Sequence, residues 1–220
     1  MLRLSDLFAV RWYEVAEWPH YEGVAQDPTW PTSADSPIFA ELVNKVNATT
    51  VIEVGSWQGR SAVKLGQALM QRWQSPDGTH QPRLYCVDTW QGGIDHLLSD
   101  HAYDHLQRDN GYPMPLYRHF LQHIYKAGLY SIVQPIVCPS SIGALLLKAH
   151  DIKADLVYID ADHTEQGAFA DMDNYWPLVR PGGVMFGDDT QMEGVAAAYK
   201  RFTGHPVNVN ERFWAMQKPA

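Results

Sequence analysis

Five times between Thr49 and Phe202 a short apolar run, often β-branched, stops at a glycine or a polar residue and gives way to a stretch with helical spacing. The strand-like runs are 49–54, 83–87, 132–137, 156–159 and 183–186; the helical stretches that follow are 60–73, 117–127, 142–149, 167–179 and 195–202. Apolar runs without strict alternation suit strands buried on both faces, and alternation with helices suits a mainly parallel sheet covered on each side. Two more strand-like runs, 207–210 and 212–217, bring the expected sheet to about seven strands. The expected fold is therefore α/β, a doubly wound Rossmann-like sheet with an antiparallel C-terminal edge. In such sheets ligands bind beyond the carboxyl ends of the strands.

The chain's 220 residues, 45% of them hydrophobic, suffice for one substantial core, so 1–220 reads as a single domain. Residues 1–37 form an N-terminal arm, rich in Pro and Trp from Trp18 onward, leading into a helix near 38–46. A net charge of −8 with no basic run gives no footprint for nucleic acid. Cys86 and Cys138, both in apolar strand-like runs, read as free thiols of a reducing compartment. Arg3 and Asp6 interrupt any secretory core, and no run is long enough to span a membrane, so a cytoplasmic location and no membrane partner are expected. Homo-oligomerisation is left open.

The first strand ends in Glu53-x-Gly55-x-x-x-Gly59. Gly55 permits a tight turn and close approach of a ligand to the backbone, and Gly59 lets the next helix pack near the strand. A dinucleotide fingerprint requires Gly-x-Gly-x-x-Gly, but residue 57 is Trp, whose indole leaves no room for a pyrophosphate. That counts against the rival reading, an NAD-dependent oxidoreductase.

This segment resembles motif I of class I S-adenosylmethionine-dependent methyltransferases. The resemblance implies that Glu53, Gly55, Ser56 and Gly59 surround the methionine end of the cofactor. It also implies that Asp88, closing the second strand, accepts hydrogen bonds from both ribose hydroxyls, which a carboxylate can do. Ser140, after the third strand, matches the position near the adenine, and Trp90 offers a ring to stack on it.

Two neighbouring strand ends, Asp160-Ala161-Asp162-His163 and Gly187-Asp188-Asp189, bring four carboxylates and an imidazole to one edge of the sheet. Clustered carboxylates repel, and a divalent cation removes that cost. Oxygen ligands favour Mg²⁺, Mn²⁺ or Ca²⁺ over zinc. The pattern is similar to metal-dependent small-molecule O-methyltransferases of the catechol, caffeoyl-coenzyme A, macrolide-sugar and aminocoumarin types. It implies Asp160, Asp188 and Asp189 as metal ligands, with Asp160 also beside the cofactor, and a small-molecule hydroxyl as acceptor. His163 falls where the caffeoyl-type enzymes carry a lysine base; His163 or Asp162 is then the general base. Metal-independent methylation is the alternative.

The polar stretch 91–115 breaks the strand and helix rhythm and reads as a substrate lid. His96, His101, His105, His119 and His123 fall in or near it, but their spacing matches no zinc motif and no Cys lies close. Pro181-Gly182-Gly183 reads as a turn between helix and strand.

Overall fold

A computed structural model describes residues 2–18, 35–73, 81–98 and 114–220. Helices α1 (Leu4–Leu7) and α2 (Trp12–Val15) form the described part of the N-terminal arm. Then follow α3 (Ile38–Lys45), β1 (Thr50–Val54), α4 (Arg60–Arg72), β2 (Arg83–Asp88) and the single turn α5 (Ile94–Leu97). After α6 (Met114–Lys126) come β3 (Val133–Val137), α7 (Ser140–Ala149), β4 (Ala154–Ile159), α8 (Glu165–Tyr175), β5 (Val179–Gly187), α9 (Glu193–Thr203) and β6 (Trp214–Gln217). Of the expected lid, residues 99–113 lie outside the described residues, and 114–115 begin α6.

The sheet runs β3-β2-β1-β4-β5-β6, parallel throughout except for β6 against β5. Alternate residues of each strand serve different cores. Val51, Leu84, Cys86, Leu156, Tyr158 and Phe186 face a cluster built with α3, α4 and α6. Ile52, Val54, Val87, Val157, Ile159 and Met185 face a second cluster with α7, α8 and α9. This period of two, with helices on both faces, is the doubly wound arrangement expected from the sequence.

The described sheet has six strands rather than seven. Residues 207–210 alternate Val and Asn, but Asn208 turns the chain instead: its Oδ1 accepts the Asn210 N–H at 3.2 Å, and its side-chain amide donates to Glu211 Oε1 at 3.0 Å. Asn side chains compete in this way with a ladder.

At the opposite end of the sheet from the polar strand ends, Asp155 ties β4 to β1. Its Oδ2 accepts the N–H groups of Thr49 at 2.7 Å and Thr50 at 2.8 Å, and its Oδ1 is paired with Arg180, whose Nη2 also donates to Val46 O at 2.9 Å. Cys86 and Cys138 are both free thiols. Among the described residues no helix is long and apolar enough to cross a membrane.

Candidate active site

β1 pairs β2 on one side and β4 on the other, so the chain reverses its direction of travel across the sheet at β1. The crevice beyond the carboxyl ends of β1 and β4 is the expected ligand position for such a switch point. The turn after β1 and the loop after β4 meet there through their backbones. Gly55 has φ +83°, and a Cβ on it would lie 2.0 Å from the Asp160 carbonyl oxygen. The glycine is thus required by the neighbouring loop as well as by the turn.

The turn is held on every side. Gly55 N–H donates to Val87 O at 2.9 Å and Gly59 N–H to Ser56 O at 2.7 Å. Trp57 O accepts the Trp90 indole N–H at 2.8 Å, and Gln58 O lies 2.7 Å from His123 Nδ1. Gly59, at φ +81°, does not make room for the strand as expected; the Phe120 ring of α6 lies 2.8 Å from where its Cβ would sit.

Glu53 is placed differently from its expected role. It points with Val51 into the face beneath the turn, fully buried, and accepts Ser56 Oγ and Ser61 Oγ, each at 2.5 Å. Burial pushes its carboxyl up to about 7 against those hydrogen bonds. Glu53 is therefore an internal staple joining the turn to α4, with no surface for a cofactor to touch.

Asp88 stands at the end of β2, as expected, but much of its carboxylate serves the protein. Oδ2 accepts the N–H groups of Ser56 at 2.8 Å and Trp57 at 2.9 Å, and Oδ1 accepts Trp90 N–H at 2.6 Å. With about four acceptor sites on a carboxylate, three such bonds leave room for one ribose hydroxyl rather than two. Trp90 is a core residue: it is 1% exposed and packs on Tyr117 and Phe120 at centroid distances of 4.8 and 4.7 Å, so its faces are covered and it offers no adenine platform.

Ser140 begins α7, half-buried, and donates through Oγ to Asp171 Oδ1 at 2.5 Å while its carbonyl accepts Tyr175 Oη at 2.8 Å. Burial pushes the Asp171 carboxyl up to about 6, with the Asp162 charge adding to the rise.

The acidic residues divide into two groups. Asp160, half-buried, accepts Tyr158 Oη at 2.8 Å; burial, then the charges of Asp188 and Asp189, push its carboxyl up to about 7. His163 Nε2 lies 3.1 Å from Asp189 Oδ2. Burial alone would raise Asp189, but the imidazole and Arg212 hold it below its ordinary value. Oxygen and nitrogen atoms of Asp160, His163 and Asp189 all fall within 4.8 Å of one another. Asp162, the other base candidate, is exposed and accepts Thr164 N–H at 2.7 Å. Asp188 is 3% exposed and bound by Arg212, with Nε 2.9 Å from Oδ1 and Nη2 3.1 Å from Oδ2.

Sequence reasoning passed over Arg212, which lies 24 residues after its partner, and read its segment only as strand. Among the described non-glycine residues, five have left-handed backbone, and three of these, Trp57, Trp90 and Asp189, stand at strand ends around the crevice. Such conformations gather where a site over-determines the backbone. Of the five histidines weighed for zinc, His96 stacks on Trp57 at 4.3 Å, His119 is buried in α6 and His123 braces the turn; His101 and His105 lie outside the described residues.

Comparison with known proteins agrees with this geometry. A family model described as "Methyltransferase domain" matches residues 52–190, from β1 through the acidic pair after β5. A search of curated proteins finds no match. Among solved structures, an O-methyltransferase from Bacillus cereus in complex with SAH is similar at TM-score 0.60 and 17% identity, covering 98% of this chain and 95% of that one. The O-methyltransferase TomG from Streptomyces achromogenes, involved in tomaymycin synthesis and solved with SAM, is similar at TM-score 0.59 and 14% identity, covering 98% of this chain and 89% of that one. The match over most of the sheet, together with these likenesses of fold, shows that the chain belongs to the methyltransferase-domain family and has the fold of class I S-adenosylmethionine-dependent methyltransferases.

Proposed function

We propose that this protein transfers the methyl group of S-adenosylmethionine to a hydroxyl oxygen of a small molecule, with a divalent cation assisting, in the cytoplasm. The observation that carries the proposal is the backbone contact between Gly55 and Asp160, which sets the cofactor turn directly against the acid and imidazole cluster. Oxygen as the acceptor is supported by that cluster and by the two similar structures, both O-methyltransferases. The free thiols suit a reducing compartment.

Methyl transfer from a sulfonium is an in-line displacement, so the protein has to align the acceptor and take its proton. Hydrogen bonds to Val87, Trp90 and His123 tie the turn from Gly55 to Gly59, which reduces the ordering cost of binding the cofactor. His163 is the better placed base. The Asp189 carboxylate beside its Nε2 stabilises the imidazolium that forms when the ring takes the acceptor's proton. Asp162 instead is turned to the start of α8, where it accepts the Thr164 N–H.

The residues present fit a divalent cation. Asp160, crowded by Asp188 and Asp189, carries repulsion that a cation relieves, and Asp160 and Asp189 would hold it with carboxylate oxygens within 4.8 Å of each other, with the His163 imidazole beside them as the base. Bound there, the metal would act as a Lewis acid on the acceptor hydroxyl. Carboxylate donors of this kind match the Mg²⁺ or Mn²⁺ expected from the sequence. A metal-independent reaction is favoured by one observation, the guanidinium of Arg212 that already neutralises Asp188.

The test is methyl transfer from labelled S-adenosylmethionine to a panel of hydroxyl-bearing acceptors, run on protein stripped of metal to below stoichiometry by elemental analysis and then resupplied with Mn²⁺ or Mg²⁺. Turnover restored by metal is the expected result. Full activity in the stripped protein sinks the metal assignment, and labelling of nitrogen or carbon in the product sinks the oxygen assignment.

A further inference from the structure

His123 belongs to none of the motifs that suggested the function, and it lies on α6, far from them in sequence. Its Nδ1 nevertheless sits 2.7 Å from the carbonyl oxygen of Gln58, inside the turn between Gly55 and Gly59. A carbonyl can only accept, so Nδ1 carries a proton and donates; this fixes the tautomer whenever the ring is neutral. One residue earlier, the Trp57 carbonyl is taken by the Trp90 indole at 2.8 Å, and one residue later Gly59 rests on Phe120, one helical turn before His123. Two consecutive carbonyls are thereby drawn by ring N–H donors, and the peptide that joins Gln58 to Gly59 is fixed just ahead of α4. Gln58 is itself buried, at 9% exposure, so removing its partner leaves a buried carbonyl unsatisfied and allows the peptide to rotate.

We infer that His123 is a positioning residue for the cofactor: through the Gln58 carbonyl it holds the Gly55 to Gly59 turn in the conformation that receives S-adenosylmethionine. The inference rests on the proposed function, since it assumes that this turn binds the cofactor. It assigns His123 to binding rather than to chemistry. Its loss raises KM for the cofactor, and kcat at saturation stays near that of the wild type, because His123 touches neither His163 nor the acidic cluster in any described contact.

The experiment is calorimetric titration of S-adenosylhomocysteine into the wild type and three variants, with steady-state kinetics on the same samples. His123→Phe keeps a ring and removes the donor; His123→Leu replaces it should the phenylalanine not fold. His123→Asn returns an N–H donor near the Nδ1 position. Ile124→Val, at a fully buried neighbour in the same helix, controls for a general loosening of α6. The expected result is affinity and KM worsened about 5- to 20-fold in His123→Phe, recovered at least in half by His123→Asn, and unmoved by Ile124→Val. Unchanged affinity in His123→Phe overturns the inference, as does an equal loss in Ile124→Val or a His123→Asn variant no better than the phenylalanine. Wild-type protein that fails to bind S-adenosylhomocysteine overturns the proposed function itself, and this inference with it.

Discussion

Arg212 grips Asp188 with two nitrogens on two oxygens, and this pair joins the segment before β6 to the end of β5. The carboxylate is buried while the Arg212 side chain is 38% exposed, so solvent screens part of the attraction. Arg212→Met should lower stability by about 1–3 kcal/mol, less than for a fully buried pair, because it leaves a buried carboxylate without its cation. The same change should tighten Mn²⁺ binding by releasing Asp188 as a ligand. Titration of the metal into both proteins checks this, and unchanged Mn²⁺ affinity would mean that Asp188 is structural only.

Gly55→Ala introduces a Cβ at φ +83° and against the Asp160 carbonyl. Left-handed backbone costs an alanine about 1–2 kcal/mol before the contact is counted. The loop after β4 has to move, so S-adenosylhomocysteine binding should be lost along with several degrees of Tm. An alanine variant with wild-type affinity and activity would show that the two loops do not depend on each other.

Asp155 is held below its ordinary value. Burial opposes this, but Arg180 and the N–H groups of Thr49 and Thr50 prevail. A carboxyl depressed by folding contributes stability above its unfolded value, near 3.9, and loses it as pH falls through the folded value. Asp155→Asn should therefore cost about 2 kcal/mol at neutral pH and little in acid. Thermal melts at pH 7 and pH 3 should show the gap between variant and wild type closing; a gap of constant size would assign the loss to shape rather than charge.

Glu53 has the opposite sign. Its carboxyl moves from an ordinary 4.5 to about 7 on folding, so its contribution is fully present below 4.5 and is lost as pH rises through about 7. Glu53→Gln should flatten the change in stability over that window. Denaturant midpoints that fall equally in both proteins between pH 5 and pH 8 would place the titration elsewhere.

The strands around the crevice were legible because buried parallel strands are unbroken apolar runs, and a polar residue marks where each leaves the core. The turn at 207–210 was not, since alternation of Val and Asn looks the same whether Asn faces solvent or bonds its own backbone. Asp160, His163 and Asp189 could be read together because all three lie within four residues of the end of β4 or β5, and the strand order puts those ends side by side. The misplacements share a cause. Glu53 and Trp90 stand at the right positions, but which way a side chain leaves a turn depends on Ser61, Tyr117 and Phe120, which the motif does not contain. Arg212 and His123 act across long stretches of chain, and no local pattern points from either to its partner.

The meeting of Gly55 with Asp160 also sets a rule for redesign. Two loops whose backbones touch cannot be lengthened or exchanged one at a time, so a graft aimed at a new acceptor should carry both from the same donor or leave both alone. Residues 208–210, all exposed and bonded within their own turn, are the freer place to introduce variety near Arg212.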